Sequence, residues 1–288
     1  MANLKEIRNR ISSVSSTMQI TSAMKMVSAA KLKKATDAIS QMRPYSDKLT
    51  ELIQNLSSSF ESSNNDNPYI KIRPVKKVLL VAITSNRGLC GGFNSNIIKA
   101  VNKICDKNRD QKFDILSIGK KGTDLLSKKY NVISSHDDIF NKLNFENCSP
   151  IADLIMNTFL KEEYDSIELV YNRFKNAATQ ILITESYLPI IPKSNSTDKK
   201  TTVDYIYEPS QKNIINELLP KALKIQLLKS LKDSFASEHG ARMTAMHKAT
   251  DNAEELRDQL KLTYNQARQA SITNEILEIV GGAEALND

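Results

Sequence analysis

The 288-residue sequence has no Trp, only eight Gly and eight Pro, and three Cys. Each shortage excludes something. With Trp absent and Phe and Tyr few, the core must come from aliphatic side chains, Ala and Met, which suits helix packed on helix. Scarce Gly and Pro argue against a turn-rich all-β fold and for long uninterrupted helices, since both residues break or end them. Cys90, Cys105 and Cys148 are odd in number and lack C-x-x-C spacing, so neither a disulfide framework nor a zinc site is indicated and a reducing compartment fits best. No stretch approaches the roughly 18–20 apolar residues that cross a bilayer, and MANLKEIRNR is charged at once, so a soluble or peripheral protein without a signal peptide is expected.

The net charge of +7 is unevenly placed. Residues 1–48 hold nine cations and three anions, whereas residues 238–288 hold five cations and nine anions. Opposite charge at the two ends favours side-by-side packing, although exposed pairs are individually weak and screened by salt.

Hydrophobic spacing gives those ends a form. An apolar seam at heptad spacing runs through Leu4, Ile7, Ile11, Val14, Met18, Leu32, Ala35, Ile39, Met42, Leu49, Ile53, Leu56 and Phe60. That is a coiled-coil signature, and one helix over residues 1–60 would be about 90 Å long. The frame weakens at Thr21, Lys25 and Ser28, while Met24 and Val27 fall off it, so here the helix should show apolar side chains to something other than its seam partner. Pro44 should kink or locally break it. From Asn213 the helical period returns. Met246, Ala249, Ala253, Leu256, Leu260, Thr263, Ala267, Ala270, Asn274 and Leu277 lie at a/d spacing, an Ala-rich seam that lets two helices approach closely. GGA at 281–283 suits a C-cap.

Between these ends the pattern changes. ESSNNDNP (61–68) is a polar linker; strands are expected over 75–84, 113–119, 131–136, 166–174 and 179–189, and helices over 94–108, 121–129 and 149–164. Such alternation predicts a sheet with parallel strands and crossover helices. PKSNSTDKKTT (192–202) is a loop and VDYIYEP (203–209) a last short strand. The expected architecture is α/β with a long antiparallel coiled coil: helices over 1–60 and 213–286 pair, and a Rossmann-like α/β domain over 74–209 is inserted between them.

Chemistry is sparse. SNRGLCGGFN (85–94) follows a strand and opens a helix, where phosphates often bind, but it fits neither the P-loop pattern nor G-x-G-x-x-G, so a tight turn or a contact surface is favoured over a nucleotide site. Cys90 has no nearby His to activate it. His239 and His247, eight residues apart, could share a helix face without bridging a metal ion. The basic N-terminal helix lacks aromatics and has an acidic helix to pair with, which weighs against nucleic acid.

Specific residues go further. IRNRISSVSSTMQITSAMKMVSAAKLKKA (7–35), SNRGLCGGFN (85–94) and SEHGARMTAMHKATDNAEELRDQLKLTYNQARQASITNEILEIVGGAEAL (237–286) closely resemble the gamma subunit of the F-type ATP synthase, bacterial type, in family order and at suitable separations. The resemblance implies a central-stalk rotor without catalytic, cofactor or metal sites of its own. Its paired helices would penetrate a hexamer of alternating alpha and beta subunits, and its base would sit with epsilon on the membrane ring of c subunits. Proton flow would turn the ring and shaft, and the asymmetric shaft would drive each beta subunit through its binding states. The location implied is the cytoplasmic face of the bacterial plasma membrane, reached only through the complex.

The resemblance also assigns residues. Met24 and Lys25 resemble the part of the shaft facing an acidic loop of beta. Arg268 and Gln269 resemble polar contacts gripping a loop of the hexamer, with Thr273 and Glu275 at nearby coupling positions. Tyr207 and Glu208 resemble a base segment near the c ring and epsilon. Lys25 departs from members that carry an acid there and would attract the acidic loop. Arg87 and its Gly-rich loop are family hallmarks without an assigned role. Two other classes remain as alternatives: an α/β nucleotide-binding enzyme that dimerises through its helices, and a basic coiled-coil adaptor for nucleic acid.

Overall fold

A computed structural model describes residues 4–60, 67–190 and 211–284. Two helices dominate it: α1, Leu4–Phe60, and one at the other end of the chain, Gln211–Glu284. The elements between them are β1 (Lys77–Ile83), α2 (Phe93–Lys107), β2 (Lys112–Ile118), α3 (Lys120–Leu126), β3 (Asn131–Ser135), a 3₁₀ turn (Asp138–Asn141), α4 (Phe145–Leu160), β4 (Ser166–Phe174) and β5 (Gln180–Leu188); the C-terminal helix is α5. The last strand expected, over 203–209, lies outside the described residues.

The chain divides into two compact units, Met1–Ala29 with Arg242–Asp288, and Ala30–Ala241, so α1 and α5 each contribute to both. In the larger unit the sheet order is β3-β2-β1-β4-β5. The first four of these strands run parallel and β5 pairs antiparallel with β4. Alternate residues of the central β1 point to opposite faces, as strand geometry requires. Val78, Leu80 and Ala82 pack with Phe93, Ile97, Val101 and Cys105 of α2, while Leu79, Val81 and Ile83 pack with Cys148, Ile151, Ile155 and Phe159 of α4 and Leu223, Leu227 and Leu231 of α5. Both faces of β1 are dry, which explains its unbroken apolar run.

In the smaller unit α1 and α5 lie antiparallel. Arg8 donates to the Tyr264 hydroxyl at 2.6 Å, Arg257 Nη1 to Met18 Sδ at 3.5 Å, and the Thr250 hydroxyl to Thr21 Oγ1 at 2.8 Å. Residue numbers rise on one helix as they fall on the other.

Several expectations need correction. The apolar frame of α1 does weaken near residue 24, and Val27 is exposed there as expected, but the seam continues through polar positions, with Thr21 and Ser28 buried in frame. Their hydroxyls bond to Met18 O and Met24 O one turn back, so the polar groups are satisfied without an apolar neighbour. The α5 seam runs in a different phase from the one expected. Met246, Ala253, Leu260 and Ala267 belong to it, but Thr250, Arg257, Tyr264 and Ser271 alternate with them, while Leu256, Thr263, Ala270, Asn274 and Leu277 are exposed. The physical reason is that Thr, Arg and Tyr bury their carbon stems and keep a polar tip bonded across the pair. Pro44 does not break α1, which runs through it to Phe60, and Gly281 and Gly282 do not cap α5, which continues through them to Glu284.

Candidate functional site

The Gly-rich loop after β1 stands at the topological switch point, where α2 and α4 leave for opposite faces of the sheet and α/β proteins commonly bind ligands. Here that end of the sheet is covered by the chain itself. Ser237 of α5 donates to Asn172 O on β4 at 2.9 Å, and Asn172 Nδ2 donates to Phe93 O at the start of α2 at 3.1 Å. Ala241 joins the cluster containing Phe93 and Val170. The approach is close at Gly240, where a Cβ would meet Ala177 O at 3.2 Å. Helix α5 thus lies where a nucleotide would enter.

The loop is internally locked. Ser85 N donates to Asn94 Oδ1 at 3.0 Å, Ser85 Oγ to Arg87 O at 2.7 Å, and Asn94 Nδ2 to Cys90 Sγ at 3.3 Å. Cys90 is buried beneath it, so its sulfur serves the turn. Leu89, at φ 61 in the left-handed region and 65% exposed, is the tip. A bulky residue held there at a cost in backbone energy, and facing solvent, marks a contact surface. The other cysteines are buried, and burial pushes the Cys148 thiol up to about 12 and the Cys105 thiol above its ordinary value, which disfavours a thiolate at either. His136 is drawn below its usual range by burial, and His239 sits edge-on to Phe235 with centroids 4.4 Å apart. His239 is buried and His247 exposed.

The shaft residues form two separate patches on one helix pair. Met24 and Lys25 are half-buried on α1, and Lys25 Nζ lies 3.4 Å from His247 Nδ1 on α5. Arg268, Gln269, Thr273 and Glu275 are exposed on α5, where the Thr273 hydroxyl donates to Gln269 O at 2.9 Å. Twenty-one residues separate His247 from Arg268, about 30 Å along the helix, so the structure does not bring the two groups together. Tyr207 and Glu208 lie outside the described residues.

Two apolar surfaces are exposed, the first where the sequence led one to expect it and the second unread there. Around Lys25, Ile20, Met26 and Val27 are all more than half exposed. Near the end of α5, Ile272, Ile276, Ile279 and Val280 are exposed at spacings of three and four, a stripe on one face. Contiguous exposed apolar groups of this kind mark contact sites. The Ile272-x₃-Ile276-x₂-Ile279 spacing was the available signal, masked by assigning Asn274 and Leu277 to the seam.

An antiparallel helix pair with apolar and polar contact patches, joined in one chain to an α/β domain whose ligand crevice its own helix covers, defines a protein built to engage other chains. A model of the ATP synthase family matches residues 3–286. The chain is 65% identical over its full length to the full-length ATP synthase gamma chain of Flavobacterium johnsoniae, and 63% identical to that of Flavobacterium psychrophilum with 99% of each covered. The central stalk and c-ring structure of the Tetrahymena thermophila mitochondrial ATP synthase includes a chain similar to it at 28% identity and a TM-score of 0.65, over 80% of this chain and 99% of that one. The chain belongs to the ATP synthase gamma chain family.

Proposed function

We propose that this chain is the central-stalk rotor of a proton-translocating F-type ATP synthase and carries torque between a ring of c subunits and a hexamer of alpha and beta subunits. The observation that carries the reading is the pair formed by α1 and α5, held by contacts from Arg8–Tyr264 to Lys25–His247 while its outer faces keep apolar and polar patches in solvent. Torque needs an element that resists bending and presents a different face in each orientation. If each orientation favours a different conformation of each catalytic site, rotation shifts those populations in sequence.

In this reading residues 1–60 and 213–286 are the shaft and residues 74–209 the body above the ring. Met24 and Lys25 meet an acidic loop of beta. Arg268, Gln269, Thr273 and Glu275 engage the hexamer about 30 Å further along, and Tyr207 and Glu208 lie at the base with epsilon and the c ring. The chain itself is non-catalytic, the nucleotide sites residing on alpha and beta, and the covered crevice at the switch point supports that assignment. No described helix is long and apolar enough to cross a membrane, and the chain is peripheral to the cytoplasmic face of the bacterial plasma membrane through its partners.

Reconstitution with alpha and beta subunits tests the proposal. The complex should regain ATPase activity, and a bead fixed to the α/β domain should turn during hydrolysis. A static bead on an active complex would refute it. Micromolar nucleotide binding by the isolated chain would favour the enzyme reading instead.

A further inference from the structure

His247 sits on α5 directly after the buried Met246, and one atom of its ring faces two incompatible partners. Its Nδ1 lies 3.4 Å from Nζ of Lys25 on α1 and 3.2 Å from Oδ1 of Asp251, one turn further along α5. An ammonium can only donate, so it engages Nδ1 when that nitrogen carries a lone pair; a carboxylate can only accept, so it engages Nδ1 when that nitrogen carries a proton. The neutral tautomer protonated at Nε2 therefore holds Lys25. The tautomer protonated at Nδ1, and the imidazolium, hold Asp251 and turn Lys25 away. The charged groups in contact with the ring are Lys25 from α1 and Asp251 from α5, and Lys248 follows His247 in the chain. The ring is 56% exposed, so it exchanges protons with solvent directly.

We propose that His247 is a positioning residue for Lys25: as neutral imidazole it ties the ammonium to the helix pair, and on protonation it releases it outward. The proposal rests on the reading of Lys25 as a contact to an acidic loop of a neighbouring subunit. A lysine held by an imidazole lone pair must give up that bond before it pairs with a partner's carboxylate, and a protonated ring removes the competitor while adding positive charge beside it. Conditions acid enough to protonate the ring therefore tighten the contact, and conditions that leave it neutral loosen it.

Two measurements separate the ring chemistry from the rotor reading. In the full chain labelled with ¹⁵N in its histidines, long-range proton–nitrogen correlation reports the His247 tautomer, assigned by comparison with His247→Gln. At pH 8 the wild-type ring should be protonated at Nε2, and Lys25→Gln should raise the Nδ1–H fraction about two- to fivefold, the range one exposed charge at this distance supports. A wild-type ring protonated mainly at Nδ1, or a ratio unmoved by Lys25→Gln, overturns the positioning role. In the complex with alpha and beta subunits, the ratio of hydrolysis at pH 6 to that at pH 8 should flatten alike in His247→Gln, Lys25→Gln and the double variant. A wild-type profile in His247→Gln with an altered one in Lys25→Gln overturns the proposal and leaves the Lys25 contact standing. Unchanged hydrolysis and rotation in Lys25→Gln at every pH overturns the contact itself, whatever the tautomer does.

Discussion

Helix α5 passes from one kind of environment to another without a break. Between Leu219 and Ala241 it meets the sheet-backed core: Leu219, Leu223, Leu227, Leu231, Ala236 and Ser237 are almost fully buried, and even Asp233 is, its carboxylate 3.4 Å from Arg43 Nη2 of α1. Between Met246 and Glu284 the same helix has α1 as its described neighbour, Met246 and Ala253 are buried, and most other side chains face solvent. The first stretch is shaped by packing, so its residues are large, aliphatic and intolerant of volume change. In the second only a narrow seam answers to packing, and the remaining surface is free to carry contacts. The division of labour between fold and function runs along one helix.

The largest effect should come from the first environment. Leu231→Ala empties a fully buried position and should cost about 2–5 kcal/mol, measured by urea denaturation of the full chain. Leu277→Ala removes the same atoms from a position 63% exposed and should change stability by less than about 0.5 kcal/mol while weakening assembly with alpha and beta subunits. Equal losses of stability at both sites would erase the contrast.

Overpacking locates the seam. Ala253→Trp places an indole at a buried position and should cost about 1–3 kcal/mol, seen as loss of helical signal at lower temperature. Ala270→Trp, exposed in the observed phase, should be nearly silent. Comparable losses at both sites would restore the phase expected from spacing alone, in which Ala253 and Ala270 both lie in the seam.

Much of the larger unit was legible in the sequence because its signals are local. The apolar run at Val78–Ile83, with both faces buried, and the alternation of strand and helix after it lead directly to the observed elements. Strand order and the covering of the crevice by Ser237–Ala241 were not legible, since they depend on contacts more than sixty residues apart. In the smaller unit α5 was read in the wrong phase because spacing counts Leu256 and Ala270 as seam and Thr250, Arg257 and Tyr264 as surface. Candidate contacts at Met24, Lys25 and Arg268 came from resemblance to a family; their separation into two patches, and the Lys25–His247–Asp251 cluster, required the pairing of the helices.

The larger unit holds a pH-dependent contact of its own. Burial pushes the Asp165 carboxyl up, but the backbone N–H groups of Lys77 and Lys76, each 2.9 Å from Oδ2, together with Arg73 more than offset it and hold the group below its usual range. A carboxylate whose acidity is increased by folding stabilises the fold above its unfolded pKa, near 3.9, and that stabilisation is lost as pH falls through the lower folded value. Asp165→Asn should cost about 1–2 kcal/mol at pH 7, from weakened bonds to two backbone donors, and should reduce the decline of stability below pH 4. An unchanged acid slope would show that other carboxylates control it.

The smallest effect tests whether the seam's polarity is specific. Thr250 donates to Thr21, and Thr21 in turn donates to Met18 O at 3.1 Å, so the two hydroxyls form a short relay across the helix pair. Removing one leaves the other, buried or half-buried, with one partner fewer, whereas replacing both by an isosteric apolar group removes donor and acceptor together. Thr21→Val and Thr250→Val should each cost about 1 kcal/mol, and the double variant should recover about 0.5–1 kcal/mol of the summed loss. Urea denaturation of all four proteins completes the cycle. Strict additivity would mean that the hydroxyls only sit near one another, and that the seam is held by the stems of Met18, Arg257 and Tyr264 instead.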